Sequence, residues 1–202
     1  MRQQLYGISH YSLAENLSRL GSLYLMKEHY AKAESLYLEA IRLSNYKGIE
    51  MKYPFISINL GLLYSKTGQF EKAEKTLLLV KSYYETQFGN YNKTYLWILD
   101  NLAELYTRMN QYEKASQLFV EASKIRKRII YDSFKYLSPS EVDGFIKTFK
   151  RGINLFNAFL INCPQPKNDL LLEAYDNELF YKGFSLNYQL EVNNLIGTNK
   201  KN

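Results

Sequence analysis

The chain has 202 residues, of which 46% are hydrophobic and 15% aromatic, with a formal net charge of +6. That length holds one ordinary domain or a short solenoid. A mean hydropathy of −0.37, with no run approaching roughly 18 apolar residues, gives no helical membrane span. The single Cys163 excludes an intramolecular disulfide and any multi-cysteine metal site.

In chain order, the pattern predicts helices throughout. The start, MRQQLYGISHY, has no apolar leader core. It reads as the end of a preceding second helix over residues 1–9, with the chain beginning inside a larger array. Helices are expected over 11–27 and 30–44. Residues 45–52 form a loop around Gly48, and Pro54 opens a helix at a position where its missing N–H costs little. That helix runs to about Ser65, Thr67-Gly68 turn the chain, and a second helix runs from Phe70 to Tyr84. Gly89-Asn90-Tyr91-Asn92 breaks it. Two more helices follow at about 94–109 and 111–130. Ser138-Pro139-Ser140-Glu141 has the form of a capping box. After it, Val142, Phe145, Ile146, Phe149, Ile153, Phe156 and Phe159/Leu160 predict one apolar stripe on one helix. Cys163-Pro164-Gln165-Pro166-Lys167 is a break. A last helix from about Asp169 sets Leu172, Tyr175, Leu179, Gly183, Leu186 and Leu190 on one face, and residues 197–202 are a polar tail.

Three stretches share one constellation. Leu20-Gly21, Tyr24, Ala33, Tyr37 and Ala40 recur as Leu60-Gly61, Tyr64, Ala73, Leu77 and Val80. They recur again as Leu102-Ala103, Tyr106, Ala115, Phe119 and Ala122. The copies are offset by 40 and 42 residues (21 to 61 to 103), and 12 residues separate the small residue from the alanine in each copy. A fixed period of this size marks a stacked repeat. Two antiparallel helices joined by a tight turn approach closely only where side chains are small, and the large residues fill the ridges between.

The pattern L-G/A-x-x-Y…Q-Y/F-E-K-A…F/Y-x-x-A resembles the tetratricopeptide repeat. Its period of about 42 resembles the kinesin-light-chain-type variant. Ile8-Ser9-His10-Tyr11 and Asn90-Tyr91-Asn92-Lys93-Thr94-Tyr95 stand where that variant has its inter-repeat loop. The fold implied is an all-α tetratricopeptide α-solenoid. Three helix-turn-helix repeats (about 11–44, 54–84 and 94–130, within 1–131) would form a right-handed superhelical stack, followed by a two-helix extension over 132–196. The extension also resembles the segment preceding the caspase-like CHAT domain in TPR–CHAT proteins. Leu137-Ser138, Glu141, Tyr175-Asp176, Leu179-Phe180 and Lys182-Gly183 carry that second resemblance, and Pro139 and Ser140 depart from its commoner acidic form. It implies a regulatory portion whose caspase-like domain would follow in a longer native chain, and it carries over no catalytic residue.

Enzymatic chemistry has little support in the sequence. His10 and His29 lie 19 positions apart with no metal spacing. Cys163 has no histidine near it in sequence. Glu173, Asp176 and Glu178 read as solvated, as do Lys124, Arg126, Lys127 and Arg128 at a helix end. No catalytic residue, metal or cofactor is expected. Binding along the concave face is the usual chemistry of a solenoid. By the resemblance, the first helix of each repeat lines that face. The expected peptide-binding residues are Arg19, Ser22 and Met26, then Phe55, Asn59, Leu62 and Lys66, then Trp97, Asp100, Asn101, Glu104 and Arg108. Asn59 and Asn101 each precede the marker leucine, where an asparagine of the family typically contacts a peptide backbone. An amide both donates and accepts, which suits sequence-tolerant capture. The expected function is a cytoplasmic protein-binding scaffold, the sensor part of a TPR–CHAT type protease system. The alternative is a basic module binding nucleic acid or a ribonucleoprotein, with affinity falling steeply with salt.

Overall fold

Each repeat closes on a small residue of its first helix and a large one of its second. A Cβ on Gly21 would lie 2.9 Å from Tyr37 Cε1, and one on Gly61 would lie 2.8 Å from Leu77 Cγ and Cδ2. Tyr37 and Leu77 are fully buried, as are Ala33, Ala73, Ala103 and Ala115. The computed structural model describes residues 2–44, 54–134 and 136–199, with side chains over 12–183 of these except 139, 140 and 143. The helices are α1 (Arg2–Met26), α2 (Tyr30–Ser44), α3 (Pro54–Lys66), α4 (Phe70–Phe88), α5 (Lys93–Arg108), α6 (Tyr112–Phe134), α7 (Pro139–Lys147), α8 (Lys150–Asn162) and α9 (Asn168–Asn199). No strand occurs among the described residues. The helices group into two compact units, Met1–Asn90 and Tyr91–Asn202.

The three hairpin turns are copies of one another. Glu28, Gly68 and Asn110 all have positive φ (61°, 77° and 58°). The next residue in each turn donates back five positions, His29 N to Tyr24 O (2.9 Å), Gln69 N to Tyr64 O (2.9 Å) and Gln111 N to Tyr106 O (2.8 Å). This satisfies carbonyls that a helix end leaves unpaired. Glycine and asparagine tolerate the left-handed region, whereas glutamate does not. Glu28→Gly is therefore expected to raise stability by about 1 kcal/mol, read as a higher melting temperature, with Gly68→Ala moving it the other way.

Three parts of the sequence reading are corrected by the helices. The Ile8–Tyr11 segment is not a loop: α1 is continuous from Arg2 to Met26. The single helix expected after Ser138 is two. Thr148 N and Phe149 N bond only three residues back, to Phe145 O (3.1 Å) and Ile146 O (2.9 Å). The Thr148 hydroxyl also donates to Phe145 O (2.7 Å). A threonine competing for the carbonyl of its own turn favours such an ending. The two-helix extension is therefore three helices. The capping box forms as expected, with Ser138 N and Oγ both donating to Glu141 Oε2 (2.9 and 2.5 Å). The loop expected at 45–52 lies outside the described residues.

The last helix turns the opposite side inward. Leu172, Tyr175 and Leu179 are exposed, and among the described side chains of α9 the buried ones are Leu170, Glu173 and Asn177. The reason lies in α6, which packs against α9. Its inner side carries Ser123, Arg126 and Lys127, so polar partners are required there. Ser123 Oγ donates to Asn177 Oδ1 (2.6 Å), and Lys127 Nζ pairs with Glu173 Oε1 (2.8 Å). The Leu186 and Leu190 side chains lie outside those described.

Candidate functional site: the first-helix faces and a cleft beside α5

In the first unit, α3 packs against both α1 and α2. This brings two of the expected binding residues together: Asn59 Nδ2 donates to Ser22 Oγ (3.4 Å). Ser22 Oγ lies 3.0 Å from Tyr37 Oη and donates to Ser18 O (3.1 Å). Burial raises the Tyr37 pKa, with the Ser22 contact pulling against it. Asn59, Phe55 and Leu62 are half-buried, while Arg19, Met26 and Lys66 are exposed. Arg19 pairs with Glu15 on its own helix. The face is therefore a partly exposed strip of hydroxyl, amide and apolar groups.

In the second unit the equivalent residues are differently engaged. Asn101 is buried, donates from Nδ2 to Trp97 O (2.6 Å) and accepts from Arg151 Nη2 (3.1 Å). Arg151 also pairs with Glu104 (2.9 Å). Asp100 is buried against Arg126, Nη2 to Oδ1 at 2.7 Å. Burial pushes the Asp100 carboxyl up, and the Arg126 guanidinium opposes it. Trp97 is half-buried and Arg108 exposed. Asn101→Ala removes an internal partner of Arg151 and a helix bond. We expect it to cost about 1–2 kcal/mol, whereas Asn59→Ala leaves the melting temperature nearly unchanged.

The basic run is solvated only in part, with Lys124 and Arg128 exposed and Arg126 and Lys127 drawn inward. Arg126 is only 1% exposed. Lys127 is held by Glu173, and Arg128 lies 3.8 Å from Asp132 and over the Tyr91 ring. Glu173 likewise leaves the solvated group expected for it. Beside the Asp100–Arg126 pair lies a cleft of about 170 Å³. Its walls are Leu96, Trp97 and Phe149, and Lys93, Arg126 and Arg151 line it with Asp100 and Gly152. Lys93 Nζ sits 4.2 Å from the Phe145 ring centroid and 5.1 Å from that of Phe149. Gly152 faces the carboxylate and guanidinium directly, so no side chain fits there.

Another feature recurs in every repeat and escaped the sequence reading. Lys32, Lys72 and Lys114 lie over the rings of Tyr24, Tyr64 and Tyr106 at 5.4, 5.3 and 4.8 Å. The constant spacing of eight residues (24 to 32, 64 to 72, 106 to 114) was the available signal. Such contacts contribute roughly 0.5–1 kcal/mol each at exposed sites. His29 packs at 5.9 Å from Tyr24 and Cys163 is a free, half-buried thiol at the end of α8. No group of three or more metal-ligating side chains occurs among the described residues.

Each unit is thus built on closely packed helical hairpins. Residues 55–128 match the tetratricopeptide repeat family, and the fold class is the all-α tetratricopeptide-repeat solenoid. Repeats of this family generally mediate protein–protein interaction. The crystal structure of BtubC (BKLC) from P. vanneervenii, a kinesin-light-chain-like repeat protein, is similar in fold with a TM-score of 0.59 at 18% identity. The match covers 90% of this chain and 65% of that one, so this chain spans just under two thirds of its length. No curated protein matches the sequence. No helix among the described residues is long and apolar enough to cross a membrane.

Proposed function

We propose that the chain is a non-enzymatic, cytoplasmic protein-interaction scaffold that captures an extended peptide along the faces of its first helices. The observation that carries this reading is the Asn59–Ser22 contact. It sets residues expected to bind on α1 and α3 side by side with the Asn59 amide still half-exposed. Such an amide can meet a peptide backbone N–H or C=O without regard to the side chains of the partner. Met26, Phe55 and Leu62 flank it with apolar surface for anchoring residues. In the second unit, taken by itself, Trp97, Glu104 and Arg108 are the residues proposed to bind on α5, whereas Asp100 and Asn101 serve there as internal supports. The resemblance of the C-terminal segment supports a narrower version, in which the scaffold is the sensor of a TPR–CHAT type protease system. The nucleic-acid alternative has less support, because Arg126 and Lys127 are engaged within the chain and only Lys124 and Arg128 of the 124–128 cations are exposed.

The test is selection of peptides from a random library against the full chain, followed by affinity measurement on Asn59→Ala. Binding weakened at least about tenfold, with the melting temperature unchanged, is the expected result. A selected peptide that binds both forms equally would remove Asn59 from the site. Added salt separates the readings further, since a nucleic-acid binder loses affinity steeply between 50 and 200 mM, by about 10³-fold when six phosphates are contacted.

A further inference from the structure

We infer that the cleft between α5, α6 and α8 is a binding site for a single carboxylate group carried on a small apolar body. Three observations carry this. The first is charge. The cations lining the cleft are Lys93, Arg126 and Arg151. Asp100 answers Arg126 and Glu104 answers Arg151, which leaves Lys93 held against the Phe145 and Phe149 rings. The cleft with its ion-pair partners thus carries one positive charge in excess, which matches a monoanion better than a phosphate dianion. The second is the buried guanidinium. Arg126 is 1% exposed and, although Asp100 and the Tyr181 hydroxyl lie against its guanidinium, its Nε–H makes no close hydrogen bond among the described residues. A buried charged donor left incomplete is costly, and native structures seldom keep one without a role. The third is size and lining. About 170 Å³ is close to the roughly 150 Å³ of an apolar cavity that holds benzene. It is well below the approximately 300–1,000 Å³ of sites for larger ligands. The Trp97 and Phe149 walls suit a ring or short aliphatic body, and the cations suit the carboxylate at its end.

The same chemistry is offered by a free aryl or alkyl acid and by the acidic side chain of a bound partner. The site lies within the second unit and shares Trp97 with the residues proposed to bind on α5, but it does not rest on the Asn59–Ser22 contact, so the Asn59→Ala test and the Lys93→Gln test fail independently.

Trp97 is the only tryptophan, so its indole N–H gives one NMR resonance reporting on the cleft. The full chain is titrated with benzoate, with N-acetylglutamate amide carrying a side-chain carboxylate, with benzyl alcohol and with inorganic phosphate. A saturable shift of the Trp97 resonance is expected with benzoate, the glutamate derivative or both, and whichever is tighter identifies the source. Benzyl alcohol and phosphate should bind at least about tenfold more weakly. Lys93→Gln and Arg151→Gln, each verified as folded by its melting curve, should each weaken carboxylate binding about tenfold. Arg128→Gln, outside the cleft, should not. Absence of a saturable shift with either carboxylate, equal binding of benzyl alcohol or phosphate, or unchanged affinity in both cleft variants would overturn the proposal.

Discussion

Replacing Arg126 by methionine is expected to destabilise the second unit by about 3–5 kcal/mol at neutral pH, because it strands the buried Asp100 carboxylate without its partner. The pair is poor evidence for net stability in itself, since two charges leave water to form it. Its rupture is costly for the same reason. The double replacement Asp100→Leu with Arg126→Met should therefore recover most of the loss, as apolar substitutes for buried pairs often do. The sign of the pH effect follows from burial, which raises the Asp100 pKa in the folded state. A carboxyl whose folded pKa lies above its unfolded value contributes stability below the unfolded pKa and loses it as pH rises through the folded one. In Arg126→Met that pKa is raised further, so the deficit should be largest near pH 7 and shrink toward pH 4. Urea denaturation at the two pH values measures this. A deficit equal at both would mean that Asp100 is not what the substitution exposes. Tyr181, whose pKa burial pushes up to about 12 beside the same guanidinium, stays neutral throughout that range.

The second large effect is expected at Gly61. An alanine Cβ there would meet Leu77 Cγ and Cδ2 at 2.8 Å, with Leu77 fully buried. The hairpin must then open or Leu77 must leave its rotamer, at a cost of about 1–3 kcal/mol. Gly61→Ala combined with Leu77→Ala should be better than additive, because the second change makes the room that the first requires. The third repeat already carries an alanine at this position, Ala103, and shows that the geometry accepts a Cβ where the opposing side chains allow it. Gly68→Ala should cost less, through its positive φ alone, since nothing lies within 4 Å of its Cβ position.

The hairpins were legible because their determinants are local and repeated. Small residues at Gly21, Gly61 and Ala103, and the alanines 12 positions on, fix the close approach whatever else the chain does. All three turns were legible, the first between the helices expected over 11–27 and 30–44, but nothing in the residue type showed that Glu28 takes the same left-handed path as Gly68 and Asn110. What could not be read depends on pairings far apart in sequence. Arg126 looks like surface in a basic run until Asp100, 26 positions earlier, is placed against it. The face of α9 was inverted for the same reason. Counting apolar residues found a stripe at 172, 175 and 179, but Ser123 and Lys127 on α6 demand Asn177 and Glu173. Of the expected binding residues, Ser22 and Asn59 meet across two helices. Asp100 and Asn101 are engaged inside the second unit, a distinction that helical periodicity does not carry.

The scaffold reading is tested most directly by amide hydrogen exchange on the full chain with and without a library-selected peptide. Protection is predicted on the first helices, centred on Ser22 in α1 and on Asn59 to Leu62 in α3, with α2 and α4 unchanged. Protection confined to α2 and α4, with α1 and α3 unaffected, would contradict it.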